Sequence, residues 1–196
     1  MADNVEKMKS DSHVIQGIDN VGYMRLLKHD HDMDALMIRY QTSMDFDLSR
    51  DSDTTATKDG SVDIPGAFEG EVTIEFLDSI DRASDDAYTA ILNGETVELW
   101  KVNVRRKNAD GKYFGWYMRG HITEDSNSND ADDASTRELT FTISGKPKRG
   151  WLELTKEQQT ELEVGFRGLA AITDEDETGK GVEYQETDAG TGELDA

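Results

Sequence analysis

Leu36-Met37-Ile38-Arg39-Tyr40-Gln41-Thr42-Ser43-Met44-Asp45-Phe46 and, further on, Glu71-Val72-Thr73-Ile74-Glu75-Phe76 decide the fold of this chain. In the first segment Leu36, Ile38, Tyr40, Met44 and Phe46 share one parity, and Arg39, Gln41, Ser43 and Asp45 the other. Side chains alternate between the faces of a strand, so the segment has a dry side and a wet side. Val72, Ile74 and Phe76 alternate with Glu71, Thr73 and Glu75 in the same way. The two segments are therefore expected to be neighbours in one half-buried sheet.

The intervening residues 47–66 are almost without apolar content and show no period. They read as a long polar loop, and a connection of this length in a compact domain is usually functional or disordered. Asp51, Asp53, Thr55 and Asp59 invite comparison with a calcium loop. Laid on an EF-hand, however, the segment has Ala56 where the turn needs Gly and Val62 where a bidentate Glu should close the site. His29 and His31 lie two apart but lack further ligands at regular spacing, so a solvated turn is the better reading. No metal and no cofactor is expected.

Outward from this centre, Val21–Lys28 reads as a first strand behind a polar arm, residues 1–20. Ser84 is the expected N-cap of a helix over about 84–93, with Asp85 and Asp86 at its positive end, Ala87, Tyr88, Ile91 and Leu92 as its dry stripe and Gly94 as its stop. Residues 97–105 and 113–122 form a strand pair joined by Asn108-Ala109-Asp110-Gly111, and hold most of the aromatic core. Residues 123–136 read as a second acidic loop, Leu139, Phe141 and Ile143 mark another strand, and 145–151 a turn. The basic trio of that turn, Lys146, Lys148 and Arg149, reads as a partner for neighbouring carboxylates. Thr155-Lys156-Glu157-Gln158 fits a capping box opening a short helix to about Leu162. From Thr173 onward 9 acids face a single Lys, which predicts a solvated acidic tail over 173–196.

Composition narrows the function classes. With 42 acids against 21 bases the formal charge is −21, which disfavours binding nucleic acid through its phosphates. There is no Cys, hence no disulfide framework and no thiolate chemistry. No signal-like run and no apolar stretch of membrane-spanning length occurs, so a soluble chain made in the cytosol is expected. No nucleophile context, apolar carboxylate pair or phosphate-cradling Gly loop is found, and the expectation is a protein that is not an enzyme.

Several of these pieces together resemble the major tail proteins of long-tailed, non-contractile bacteriophages of Gram-positive hosts. They are Ile15-Gln16-Gly17, the stretch Ser49–Gly60, Asn93-Gly94-Glu95 leading to Val97-Glu98-Leu99-Trp100, and Phe141-Thr142-Ile143-Ser144-Gly145-Lys146-Pro147. The resemblance spans residues 14–172 and implies a mostly β fold. That fold is an antiparallel sandwich or barrel of the tail-tube type over 21–172, with a flanking helix, an inter-subunit loop and polar terminal arms. It also implies hexameric rings stacked into the virion's tail tube, made in the host cytoplasm. Loop 48–66, with Ser49, Arg50, Asp51, Asp53, Thr55, Lys58, Asp59 and Pro65, would meet neighbouring subunits and rings. Asp45, Asp47, Glu71 and Glu75 would line an acidic channel through which DNA passes without specific binding. Further partners implied are the tape-measure protein and the tail terminator and distal tail proteins, with no membrane. The competing expectations are a monomeric β-sandwich binding module for carbohydrate or calcium-dependent adhesion, using Trp116, Tyr117 or the Asp-rich loop, and a hydrolase dependent on His121.

Overall fold

The computed structural model describes residues 14–162, 169–173, 176 and 178–189. The chain divides into two compact units, residues 1–153 and 154–196. The first contains β1 (Asn20–Leu26), β2 (Leu36–Met37), β3 (Gln41–Thr57), β4 (Gly60–Leu77), α1 (Arg82–Asn93), β5 (Val97–Lys107), β6 (Tyr113–Ser128), β7 (Thr136–Ile143) and β8 (Lys148–Leu152). All strand pairings are antiparallel. The strands form one continuous sheet in the order β2-β1-β5-β6-β7-β4-β3, with β8 paired to β6.

The sheet curls without a closing backbone ladder. β1 and β3 lie far apart along the strand order, yet the Gln41 side chain accepts from Gly22 N at 2.9 Å and donates to Gly22 O at 3.1 Å. One side-chain amide thus supplies the donor and acceptor that a strand residue would have offered. Phe46 of β3 reaches across the same seam to meet the Trp116 ring edge-on at 5.2 Å. The concave side encloses Met24, Leu26, Val72, Ile74, Phe76, Val97, Leu99, Met118, Ile122, Leu139, Phe141 and Ile143. These are the alternating apolar positions of the strands, as the period-two pattern requires.

Helix α1 covers the open side of this core. Ala83, Ala87 and Ala90 form its buried face, and their small side chains permit close packing. Its N-cap is Asp81, whose carboxylate accepts from Ser84 N at 2.8 Å and from Ser79 Oγ at 2.6 Å. The expected Ser84 cap is thus displaced by three residues, and the dry stripe is rotated: Tyr88 and Leu92 are exposed. Gly94 ends the helix in the left-handed region at φ 65. Gly120 on β6 marks a close approach, because a Cβ there would stand 1.9 Å from Thr142 O.

Several sequence expectations are corrected. The strand expected over 36–46 is interrupted at Ile38–Tyr40, where Tyr40 takes φ 56. That kink turns Tyr40 to solvent while Ile38 stays buried. Residues 48–66 are not an irregular loop; they continue β3 and β4 into a two-stranded ribbon turning at Lys58-Asp59. The acidic loop after β6 is shorter than expected, since β6 runs to Ser128. Residues 148–151, expected within a turn, belong to strand β8, which ends at Leu152. The helix, Arg82–Asn93, starts two residues earlier than expected.

The second unit contains α2 (Lys156–Leu162). Thr155 N donates to Gln158 Oε1 at 2.9 Å and Gln158 N to Thr155 Oγ1 at 3.3 Å, the reciprocal capping box expected there. Asp176 anchors a turn in the acidic stretch, accepting from Thr178 Oγ1 at 2.7 Å and Lys180 N at 2.9 Å. Those hydrogen bonds, the Thr178 hydroxyl first, hold its carboxyl below the usual aspartate value. Residues 174, 175, 177 and 190–196 of the expected tail, and 1–13 of the expected arm, lie outside the described residues.

Candidate assembly interface

The ribbon is the feature that the core does not explain. β4 stays paired to β7 as far as Glu71↔Thr142, and from Gly70 to Gly60 its partner is β3 alone. At about 3.3 Å per residue it extends roughly 35 Å beyond the sheet. Every residue from Asp47 to Pro65 is exposed. An isolated two-stranded hairpin is marginally stable in water, so such an arm gains most by being covered.

Its local chemistry fits the extension. Thr54-Thr55-Ala56-Thr57 and Val62-Asp63-Ile64 are rich in β-branched residues, and Gly60 supplies φ 139 beyond the turn. Thr57 Oγ1 donates to Gly60 O at 2.7 Å and closes the tip. A register shift between Arg50 and Ser52 marks a bulge, over which Arg50 donates to Gly66 O at 3.2 Å. Asp53 stands opposite Ile64 and Thr55 opposite Val62, so one ribbon face combines a carboxylate with two exposed aliphatic side chains. Of the residues singled out in the sequence, Ser49 and Arg50 lie at the ribbon's root, and Asp51 beside the bulge. Asp53, Thr55 and Pro65 lie along its length, with Lys58 and Asp59 at the turn.

The second grouping is an acidic sheet face. Asp47 is directly opposite Glu71, Asp45 opposite Thr73, and Ser43 opposite Glu75. Across the next ladder Glu75 faces Glu138, and Glu124 of β6 faces Thr140. The four carboxylates named from the sequence therefore share the side opposite the core, joined by Glu138 and Glu124. Directly opposed like charges destabilise a sheet, so two such pairs are not there for stability. Glu138 was legible in principle, because it continues the wet parity of Thr140 and Thr142. Glu124 was not, because the register shift between Ile122 and Glu124 reverses the parity.

On the same side of the sheet, over β1, β5 and β6, the chemistry changes. Glu98 is buried and accepts from Arg25 Nη2 at 2.6 Å, Tyr117 OH at 2.5 Å and Arg119 Nη2 at 3.1 Å. Burial pushes its carboxyl upward, but Tyr117, Arg25 and Arg119 together outweigh it and hold it below the ordinary glutamate value. Tyr117 is raised in turn, by burial and by the Glu98 carboxylate. His121 is exposed and lies near Thr96 at 3.4 Å. Among the described residues no cluster of three or more His, Asp or Glu is arranged to hold a metal. No described helix is long and apolar enough to cross a membrane.

A curled antiparallel sheet closed by one helix, with a bare ribbon reaching beyond it, is the tail-tube class of β protein. The chain is similar to the tail tube of SPP1, solved by solid-state NMR and cryo-EM, with TM-score 0.65 and 17% identity over 92% of this chain and 96% of that one. It is also similar to the tail of an empty gene transfer agent particle with C6 symmetry (TM-score 0.55, 11% identity, 69% and 98% covered). A native gene transfer agent virion gives TM-score 0.54 at 10% identity, with 70% and 99% covered. No curated relative matches by sequence. The family model described as phage tail tube protein matches residues 14–149, and the chain belongs to that family.

Proposed function

We propose that this tail tube protein is a non-enzymatic virion subunit that assembles with itself into hexameric rings stacked as a hollow tube. The observation that carries the reading is the ribbon, roughly 35 Å long, whose residues 47–65 are exposed on both faces. Its exposed edges and side chains are completed when another copy covers them, which turns an aggregation hazard into an interface. Head-to-tail contacts then propagate without closing, as a filament requires. The C6 tail of the gene transfer agent supports the six-fold count by analogy of fold.

The acidic face built by Asp45, Asp47, Glu71 and Glu75 is assigned to the channel wall. Like charge there keeps passing DNA from adhering, and the repulsion it costs each subunit is offset by that use. The tape-measure protein would occupy the same channel during assembly, with terminator and distal tail proteins at the tube's ends. Purified protein viewed by negative-stain electron microscopy at high concentration tests the reading. Rings or tubes are expected, and compact single particles under all conditions would overturn it in favour of a monomeric binding module. A tube map that puts the four carboxylates on the outer surface would overturn the channel assignment alone.

A further inference from the structure

The concave face of β5, β6 and β8 runs on past the last core layer into a cationic and aromatic surface on which Arg106, Arg149 and Trp151 are exposed. By register, Lys101, Trp116 and Arg149 lie side by side across three strands, and Asn103, Phe114 and Trp151 form the next row. Arg106 stands 3.9 Å from the Phe114 ring and 5.7 Å from Trp151, while Arg149 lies 5.3 Å from Trp116. Together with Ile15 and Asn20, most of these residues line a cleft of about 400 Å³. Trp151 is 45% exposed.

The guanidinium groups of this cleft, like those of Arg50 and Arg105, are without an ion-pair partner among the described residues. Acids outnumber bases two to one in this chain, and Arg25, Arg82, Arg119 and Arg137 each have a carboxylate partner. Arg106 and Arg149 have none among the described residues, and the sequence expectation that the basic trio is matched by neighbouring carboxylates is met at none of Lys146, Lys148 and Arg149 there. Lys101 is held below the usual lysine value by burial, against the opposing pull of Asp45.

We propose that this cleft is the acceptor for the ribbon face carrying Asp53, Val62 and Ile64 of a second copy of this chain. The inference rests on the tube reading and names the surface that receives the arm. The complementarity is direct: a carboxylate opposite one aliphatic side chain and diagonal to another meets two guanidinium groups lying on aromatic rings. Val62 and Ile64 are 50% and 52% exposed in the single chain, as Trp151 is, so both partners hold apolar area to bury. The carboxylate–guanidinium contact is charge-assisted and sets the register of the arm. Cations over aromatic rings also suit single-stranded nucleic acid, but a polyanion would meet the field of a chain at −21, whereas the ribbon brings one carboxylate to the site.

The test compares full-length wild type with Arg106→Glu/Arg149→Glu, a charge reversal at two exposed side chains. The double variant is expected to keep its circular dichroism and thermal midpoint but to need at least tenfold more protein to assemble. Adding Asp53→Lys should restore assembly at wild-type concentration. Because the chain has no Cys, a mixture of Asp53→Cys and Arg149→Cys protein can form only the two homodimeric disulfides and the mixed one, and the mixed heterodimer is expected to predominate on oxidation. Wild type and double variant assembling alike would overturn the acceptor while leaving the tube reading intact. Wild type that never assembles would overturn the tube reading itself. Arg149 cross-links that map to any segment other than the ribbon, or a labelled single-stranded oligonucleotide that binds wild type and not the double variant, would also overturn the acceptor. Should the double variant lose its fold, Arg149→Gln with the cross-link carries the same decision.

Discussion

Arg137 and Asp125, diagonal neighbours on β7 and β6, form an ion pair under α1: Nε and Nη2 donate to the two carboxylate oxygens at 2.8 and 2.5 Å, and the side chains are 0% and 5% exposed. The same guanidinium donates to Ser84 O at 3.2 Å in the first turn of α1 and lies 3.5 Å from the Tyr88 ring. One cation therefore ties the helix to the sheet. Removing one partner of a buried pair leaves an unmatched charge, a cost of about 3–5 kcal/mol. Arg137→Ala should fall in that range by denaturant unfolding, with Asp125→Ala close to it. In a double-mutant cycle the two losses should be strongly non-additive.

A pH dependence follows from Glu98. Its carboxyl is depressed below the ordinary value of 4.5, so the ionised form is favoured by folding. The stabilisation it provides is complete above about pH 4.5 and is lost as pH falls through the lower folded value. Thermal midpoints measured from pH 7 to pH 2.5 should drop for wild type in that acid window. Glu98→Gln should lie below wild type at pH 7 and show a shallower acid dependence. Parallel pH profiles for the two proteins would show that the acid loss arises elsewhere.

Gly120 tests the close approach of β6 and β7. A methyl group cannot fit where a Cβ would stand 1.9 Å from a backbone oxygen, so the strands must separate locally. Overpacking of this kind costs about 1–3 kcal/mol. Gly120→Ala should therefore lower the unfolding midpoint, whereas Gly150→Ala on β8, where a Cβ meets nothing within 4 Å, should be nearly silent.

Replacing residues 51–65 by Asn-Gly separates folding from assembly. None of those residues is fully buried, and the core lies entirely outside them. The shortened protein should unfold within about 1 kcal/mol of wild type, as changes away from the core usually do. Electron microscopy should show no tubes. Tubes of normal appearance would place the stacking contact elsewhere.

The places where sequence and structure part company have physical causes. Strands with one dry face declare themselves: Val72-Ile74-Phe76 and Leu139-Phe141-Ile143 alternate and are buried as their parity requires. The ribbon has water on both faces, so it has no apolar period to read. What signal it carries is the β-branched content of Thr54–Thr57 and Val62–Ile64 and the Gly60 turn. The break at Tyr40 was hidden because its apolar neighbours keep parity through a residue at positive φ. Asp81 outcompeted Ser84 at the helix start because Ser79 orients its carboxylate, a contact that spacing alone does not announce. The basic–aromatic cleft escaped because its members come from three strands, and only register puts Lys101, Trp116 and Arg149 in one row.

The acidic face offers the last prediction, because its proposed use in the tube and its cost in the single chain pull in opposite directions. Asp47 opposes Glu71 and Glu75 opposes Glu138 across neighbouring ladders, with no cation at those positions. Each pair should destabilise the sheet by about 0.2–1 kcal/mol at low ionic strength. Asp47→Asn and Glu75→Gln should therefore raise the thermal midpoint of the monomer, and the gain should shrink in molar salt, where the screening length falls to about 3 Å. A gain that survives high salt would point to hydrogen bonding or packing as its source. The same neutralised subunits, once assembled, should retard DNA passing through the tube, because the wall then loses the repulsion that kept the strand from binding it.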